Sequence, residues 1–382
     1  VISRSDTDRG RLAEHWQRLN GRQRIGGVDL ARGLAVLGMF AAHLLVLPDR
    51  VELADADTWL AVVNGRSSIL FATLAGVSIG LVTGGVDPLR GDARMTVSLR
   101  LGVRALALWI LGVLLISTGV PVYVILPAYA VLFLLAIPLS SLTSGPLLLL
   151  AAAVAVTMPF AQVALDALPL WRTPLGIDLA LTVGWHYPFT TWIAFVLAGM
   201  GVARAGISRL PVQWTLTAAG AALAAAGYGL DAAARADSGS EPGGSFWSAV
   251  WTAEPHSTGV LEVVGSGGFA LAVLGVSLLA CRTAVSLVVL PLRAVGAMPL
   301  TAYTLQLVVW AVIAATALEG GTGDLAGFRE LDPFWPLTVG IVAFCTAWAL
   351  LLGRGPLEAL LDRALRLLVR GAPSVGADDA RR

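Results

Sequence analysis

The sequence predicts an all-α polytopic integral membrane protein, a bundle of about ten transmembrane helices followed by an amphipathic C-terminal helix. Three observations carry that prediction. Of the 382 residues, 57% are hydrophobic and 13% charged, with a mean hydropathy of +0.78, a composition outside the range of ordinary soluble domains. Apolar runs long enough to cross about 30 Å of hydrocarbon recur along nearly the whole chain, which leaves no room for a sizeable soluble domain. The arginines crowd one side of those runs.

Taken in order, residues 1–26 are polar and Arg-rich. The first apolar run arrives too late and is too long for a cleaved signal peptide, so this stretch reads as a cytoplasmic tail. Spans are expected near Val28–Leu47, Ser67–Thr83, Leu101–Gly119, Val122–Leu142, Leu147–Leu165, Trp185–Ala203, Val212–Leu230, Thr258–Ala280, Ala297–Ala317 and Phe334–Leu352. The short run Val285–Leu292 reads as an interfacial or re-entrant piece. The stretch from Gly355 to Arg370 is amphipathic and basic, as a surface helix should be. Four regions follow: a tail over 1–26, a transmembrane domain over 27–354, a surface helix over 355–370 and a disordered tail over 371–382.

Cytoplasmic loops collect positive charge. With the N-terminus inside, 20 of the 26 arginines fall on the cytoplasmic side, and the opposite face keeps five beside many acids. Both termini are then cytoplasmic, in a multi-pass protein of the inner (cytoplasmic) membrane of a cell. No lysine occurs, which removes Schiff-base and phosphate-loop lysine chemistry. Cys281 and Cys345 show no metal-ligand spacing, and no metal site is expected.

The first span carries an acid, a base and a histidine inside apolar sequence. At about 100° per residue, Asp29, Arg32 and His43 share one stripe, with His43 about 21 Å above Asp29. Ionisable groups at membrane depth face a bundle interior or a cavity, so this stripe should line something. His186 and His256 fall at the same outer level as His43, and Glu262 enters the eighth span about one turn inside. A histidine beside a carboxylate is the usual equipment for general base catalysis, which makes His43, His256 and Glu262 the catalytic candidates. The same histidines would also serve interhelical packing. Arg66 stands at the outer mouth of the second span against the charge bias and calls for an acidic partner, from a substrate or from a loop. Tyr303, Gln306 and Trp310 form a second polar stripe that can meet the first. Trp59 and the other loop aromatics suit either a headgroup belt or stacking on sugar rings.

Arg24-Ile-Gly-Gly-Val-Asp-Leu-Ala-Arg-Gly33, Gly65 to Ser78, Gly296 to Gln306 and Arg354-Gly-Pro-Leu-Glu358 together resemble bacterial relatives of heparan-α-glucosaminide N-acetyltransferase, within the wider transmembrane acyltransferase group. The resemblance runs from about Arg24 to Glu358. It implies that acetyl-CoA, or another acyl-CoA, enters from the cytosolic side and that the acyl group reaches an acceptor on the far side with the help of a histidine. In the family that histidine precedes a Trp in the first outer loop. The matching Trp is similar to Trp59, but Asp55, Ala56, Asp57 and Thr58 stand before it, so His43 takes the histidine's place.

The reading is therefore a membrane-bound acyltransferase acting on an extracytoplasmic amine or hydroxyl, such as a glycan or another envelope component. Asp29, Arg32, Tyr303 and Gln306 are the expected donor-binding residues, and Arg66, Trp59 and His186 the expected acceptor-binding residues. The expected partners are the lipid bilayer, acyl-CoA, a glycan or small-molecule acceptor and, in a homodimer, a second copy of the chain; nucleic acid is not among them. Two other classes use the same residues. A transporter or flippase would bind solute or relay protons through Asp29, Arg32 and His43, and a non-catalytic membrane partner of an envelope enzyme would use them for packing.

Overall fold

The structure, a computed structural model, describes residues 14–21, 24–48, 50–52, 54–238 and 245–369. The expectations for 1–13 and for a tail over 371–382 lie outside the described residues. Among those residues the protein is all-helical, as the hydropathy pattern requires. Helix α1 (14–20) precedes α2 (Gly26–Leu44), α3 (Arg66–Val82), α4 (Gly91–Ile116), α5 (Leu126–Leu139) and α6 (Ser144–Asp166). Then come α7 (Pro174–Val183), α8 (Phe189–Gly206), α9 (Leu210–Ser238), α10 (Phe246–Val250), α11 (Val260–Ala280) and α12 (Val285–Val288). The chain continues through α13 (Leu290–Ala297), α14 (Pro299–Ala317), α15 (Leu325–Glu330), α16 (Phe334–Leu351) and α17 (Pro356–Leu368). Among the described residues, eight helices are long and apolar enough to cross a membrane. This is a polytopic membrane protein.

Burial separates centre from periphery. Some 72% of the apolar window is buried in both α2 and α8, against 22% in α6 and 28% in α4 and α16, so the first group forms the core and the second turns its leucines and tryptophans toward lipid. Small residues set the core distances. A Cβ on Gly296 would stand 1.7 Å from the Asp29 carbonyl oxygen, and one on Gly33 would stand 2.1 Å from that of Leu292. Helix α13 thus lies directly on α2, which is where the second half of the segment expected as interfacial or re-entrant goes. Gly76 and Gly199 bring α3 and α8 equally close, each Cβ falling 2.0 Å from a carbonyl oxygen of the other helix.

Two features position the site. Helix α5 has 14 residues and spans about 21 Å, less than the hydrocarbon thickness. The buried Val120, Val124 and Ile125 are therefore in irregular backbone at one end of it. Backbone of that kind is tolerated at such depth only inside protein or beside a cavity. The second feature is Arg204, 3% exposed, whose guanidinium donates to the carbonyls of Gly80, Thr83, Gly85, Ser140 and Leu142 and to the Thr83 hydroxyl. A cation there collects the orphan carbonyls at the ends of α3 and α5 and fixes both against α8.

Candidate active site

The two polar stripes meet at His43. Its Nδ1 lies 3.4 Å from the Gln306 side-chain amide, and its ring stands edge-on to Tyr303 with centroids 6.4 Å apart. Arg329 donates to the His43 carbonyl at 3.2 Å, which satisfies backbone where α2 ends. Gln306 and Trp310 are fully buried, and Trp310 stacks on Phe328 at 4.8 Å. The Tyr303 hydroxyl accepts from the Ile125 N–H at 3.4 Å. The irregular segment ahead of α5 thus turns a backbone donor onto a residue that touches His43.

A tyrosine-lined zone extends from there. Tyr129, Tyr187 and Tyr303 are all buried and close enough to interact electrostatically. Tyr129 donates to the Ser68 carbonyl at 3.2 Å and Tyr187 to the Tyr123 carbonyl at 3.0 Å. His186 stacks on Tyr123 with centroids 3.4 Å apart, and His256 meets Tyr187 edge-on at 6.5 Å. Burial lowers the pKa of both loop histidines, and for His186 the neighbouring His256 adds to the effect.

Glu262 is 3% exposed and its carboxylate is used by backbone. It accepts from the N–H groups of His256 and Thr258, each at 2.6 Å, and from the Ser257 hydroxyl at 3.2 Å. His256 and Thr258 have φ of +65° and +56°, a conformation uncommon outside glycine; the carboxylate holds this tight strap in place. Glu262 orients the loop and does not sit on a histidine ring. Arg66 finds its partner in Tyr228, donating to the phenol at 2.6 Å with its guanidinium 4.5 Å from the ring centroid. Tyr228 in turn bonds to Ser266 at 2.8 Å. Trp59 is 55% exposed on a 3-10 helix, Ala56–Val63.

At the other end of α2, Asp29 is 3% exposed and accepts from Arg24 and, at 3.2 Å, from Arg32. Arg32 also donates to Ser78 at 2.8 Å. Arg104 lies within electrostatic range of Arg32 and of Glu358. Glu358 accepts from the N–H groups of Leu300 and Thr301 at 2.9 and 3.2 Å and from the Thr301 hydroxyl at 2.5 Å, capping the start of α14 as an acid at a helix N-terminus should. Three guanidinium groups thus converge near two carboxylates.

Against known protein families, residues 24–229, more than half of the chain, match the model described as heparan-alpha-glucosaminide N-acetyltransferase, catalytic. The chain belongs to this N-acetyltransferase family. Residues 243–367 match a second family, described as a protein of unknown function (DUF418). No curated protein matches the chain. Within this N-acetyltransferase family member the candidate residues come from both matched parts, since His43 lies in the first and Gln306 and Tyr303 in the second.

The expected donor-binding set divides along that seam. Asp29 and Arg32 stay together, whereas Tyr303 and Gln306 join His43. The three histidines are linked through tyrosines rather than touching. What the sequence reading missed is Tyr123, Tyr129, Tyr187 and Tyr228. The chain has five tyrosines, and Tyr123, Tyr187, Tyr228 and Tyr303 each contact a candidate residue, so scarcity in an otherwise apolar sequence was the available signal.

Proposed function

We propose that this protein is a membrane acyltransferase that takes an acyl group from acyl-CoA at its Asp29 end, facing the cytoplasm of the cell, and passes it to an amine or hydroxyl acceptor at its His43 end. The observation that carries this reading is the placement of His43, a residue able to accept a proton, between Gln306 and Tyr303 on the same helix as an arginine cluster. The 11 positions from Arg32 to His43 span about 16 Å, comparable to an extended pantetheine arm. Phosphates can therefore sit with the arginines while the thioester reaches the histidine. Residues 27–354 act as one transmembrane catalytic unit, because neither matched part alone contains the site.

The chemistry follows from the hydrogen bonds. With Gln306 Oε1 accepting from Nδ1–H, the His43 Nε2 atom carries the free lone pair. It takes the proton of the acceptor amine or hydroxyl as that group attacks the thioester carbonyl. The Tyr303 oxygen already accepts from Ile125, so its proton is free to stabilise the oxyanion. Collapse of the tetrahedral adduct breaks the C–S bond, and the CoA thiolate recovers the proton from His43. The arginine bias supports a cytoplasmic donor side, and on this reading glycans or other envelope components at the opposite face are the acceptors.

Membrane vesicles of defined orientation test this. Labelled acetyl-CoA added outside inside-out vesicles should label an amine or hydroxyl acceptor enclosed within them. Right-side-out vesicles should show no transfer from external donor. Absence of labelled product in both orientations, across a panel of amino sugars and hydroxylated glycans, would remove the acyltransferase reading.

A further inference from the structure

A second charged site lies at the Asp29 end, away from His43. Helix α1 rests against the turn between α16 and α17, and a cleft of about 420 Å³ between them is lined by Arg18, Arg354, Arg363 and Arg366, with Asp362 the one acid and Leu352 at its edge. Asp362 is engaged by Arg354. Glu14 lies 3.6 Å from Arg18, and Arg354 lies within electrostatic range of Arg18, Arg366 and Arg24, so four arginines face two carboxylates and the cleft keeps a net positive charge.

The cleft is built rather than incidental. Gly353 has φ of +88°, and a Cβ there would stand 2.6 Å from Arg18 Nη1, so glycine both makes the turn and leaves room for the arginine. The Trp348 indole donates to the Arg354 carbonyl at 2.8 Å. On the other wall, His15 bonds to the Leu350 carbonyl at 3.1 Å, and Arg293 holds the end of α1 through the Leu19 carbonyl at 2.6 Å and the Asn20 side chain at 2.9 Å. Helix α17 also exposes Leu360, Leu367 and Leu368 by 62%, 69% and 69%. Leu360 and Leu367 share a face with Arg363, the pattern of a helix in the interface with leucines in the acyl layer and arginines at headgroup level.

We propose that this cleft binds a phosphate group presented at the membrane surface, held by Arg363 and Arg366 with Arg18 and Arg354 behind them. Guanidinium groups bind phosphate oxygens in pairs, and several converging on one opening match a phosphate better than a carboxylate. The phosphate can come from an anionic phospholipid headgroup or from a soluble donor such as CoA. The first source stands independently of any transfer reaction; the second rests on the acyltransferase reading.

Binding to the purified full chain separates them without turnover. Native mass spectrometry would follow phosphatidylglycerol against phosphatidylcholine in mixed micelles, and calorimetry would follow CoA and inorganic pyrophosphate. At least one phosphate ligand should saturate, and Arg363→Gln with Arg366→Gln should weaken it tenfold or more. Arg90→Gln, an exposed arginine outside the cleft, should leave binding unchanged. Saturation by phosphatidylglycerol alone supports the lipid source, and by CoA or pyrophosphate alone the soluble source. If no phosphate ligand saturates, or if the double variant binds as the wild type does, the proposal is overturned.

Discussion

Gln306 stands 3.4 Å from the Nδ1 atom of His43, joining residues 263 positions apart in the chain. With Gln306 Oε1 accepting from Nδ1–H, such a contact holds the ring's direction and leaves Nε2 as the free nitrogen. Gln306→Leu keeps most of the volume and removes that control. It should lower kcat about tenfold, the worth of one orienting hydrogen bond, with little change in the KM for the donor. Steady-state kinetics in proteoliposomes would show this. A rise in donor KM with kcat preserved would move Gln306 back to the donor-binding role first expected of it.

Arg204 predicts a stability effect with no kinetic signature of its own. Arg204→Leu leaves several buried carbonyls without donors, and each uncompensated group costs about 1 to 3 kcal/mol. Arg204→Lys keeps the charge but loses the planar fork. The thermal midpoint in detergent should fall for both variants, further for leucine. Equal midpoints for wild type and Arg204→Leu would show that water or lipid replaces the guanidinium.

The loop histidines set a pH dependence. Burial depresses the folded pKa of His186 and His256 below the ordinary 6.5, so the unfolded chain takes up protons first as pH falls. Stability from these groups is present above about pH 6.5 and is lost as pH drops through their folded values. Between pH 7.5 and 5.5 the unfolding midpoint of wild type should therefore drop relative to that of His256→Asn, since the variant lacks this protonation and asparagine tolerates positive φ. An identical pH slope in the variant would show that His256 protonates freely in the folded protein.

Most of the architecture was legible because hydropathy dominates it. Each of the ten expected runs contains a helix, but eight helices among the described residues are long and apolar enough to cross a membrane, and α5 with its 14 residues is not one of them. The departures have physical causes. Helix α4 begins at Gly91, ten residues ahead of the apolar run, because Asp92, Arg94 and Arg100 lower hydropathy without interrupting the helix. Helix α7 has 10 residues, too few to stand out as a span. In the site, the Asp29 and Arg32 pair follows directly from i to i+3 spacing. The meeting of His43 with Gln306 was legible only as two stripes able to meet. Arg204 and Arg293 looked like ordinary loop charges, since a count of arginines does not distinguish one facing water from one bonded to buried carbonyls. The strap held by Glu262 depends on positive-φ backbone at His256 and Thr258, which neither residue type announces.

His43→Ala tests the central claim most directly, measured as transfer rate from labelled acyl-CoA alongside donor affinity by calorimetry. Loss of a general base should lower kcat by about 10² to 10⁴ while donor affinity stays within about twofold. A His43→Ala protein that folds, binds donor and transfers at the wild-type rate would contradict the account, and the polar stripe of α2 would then be packing.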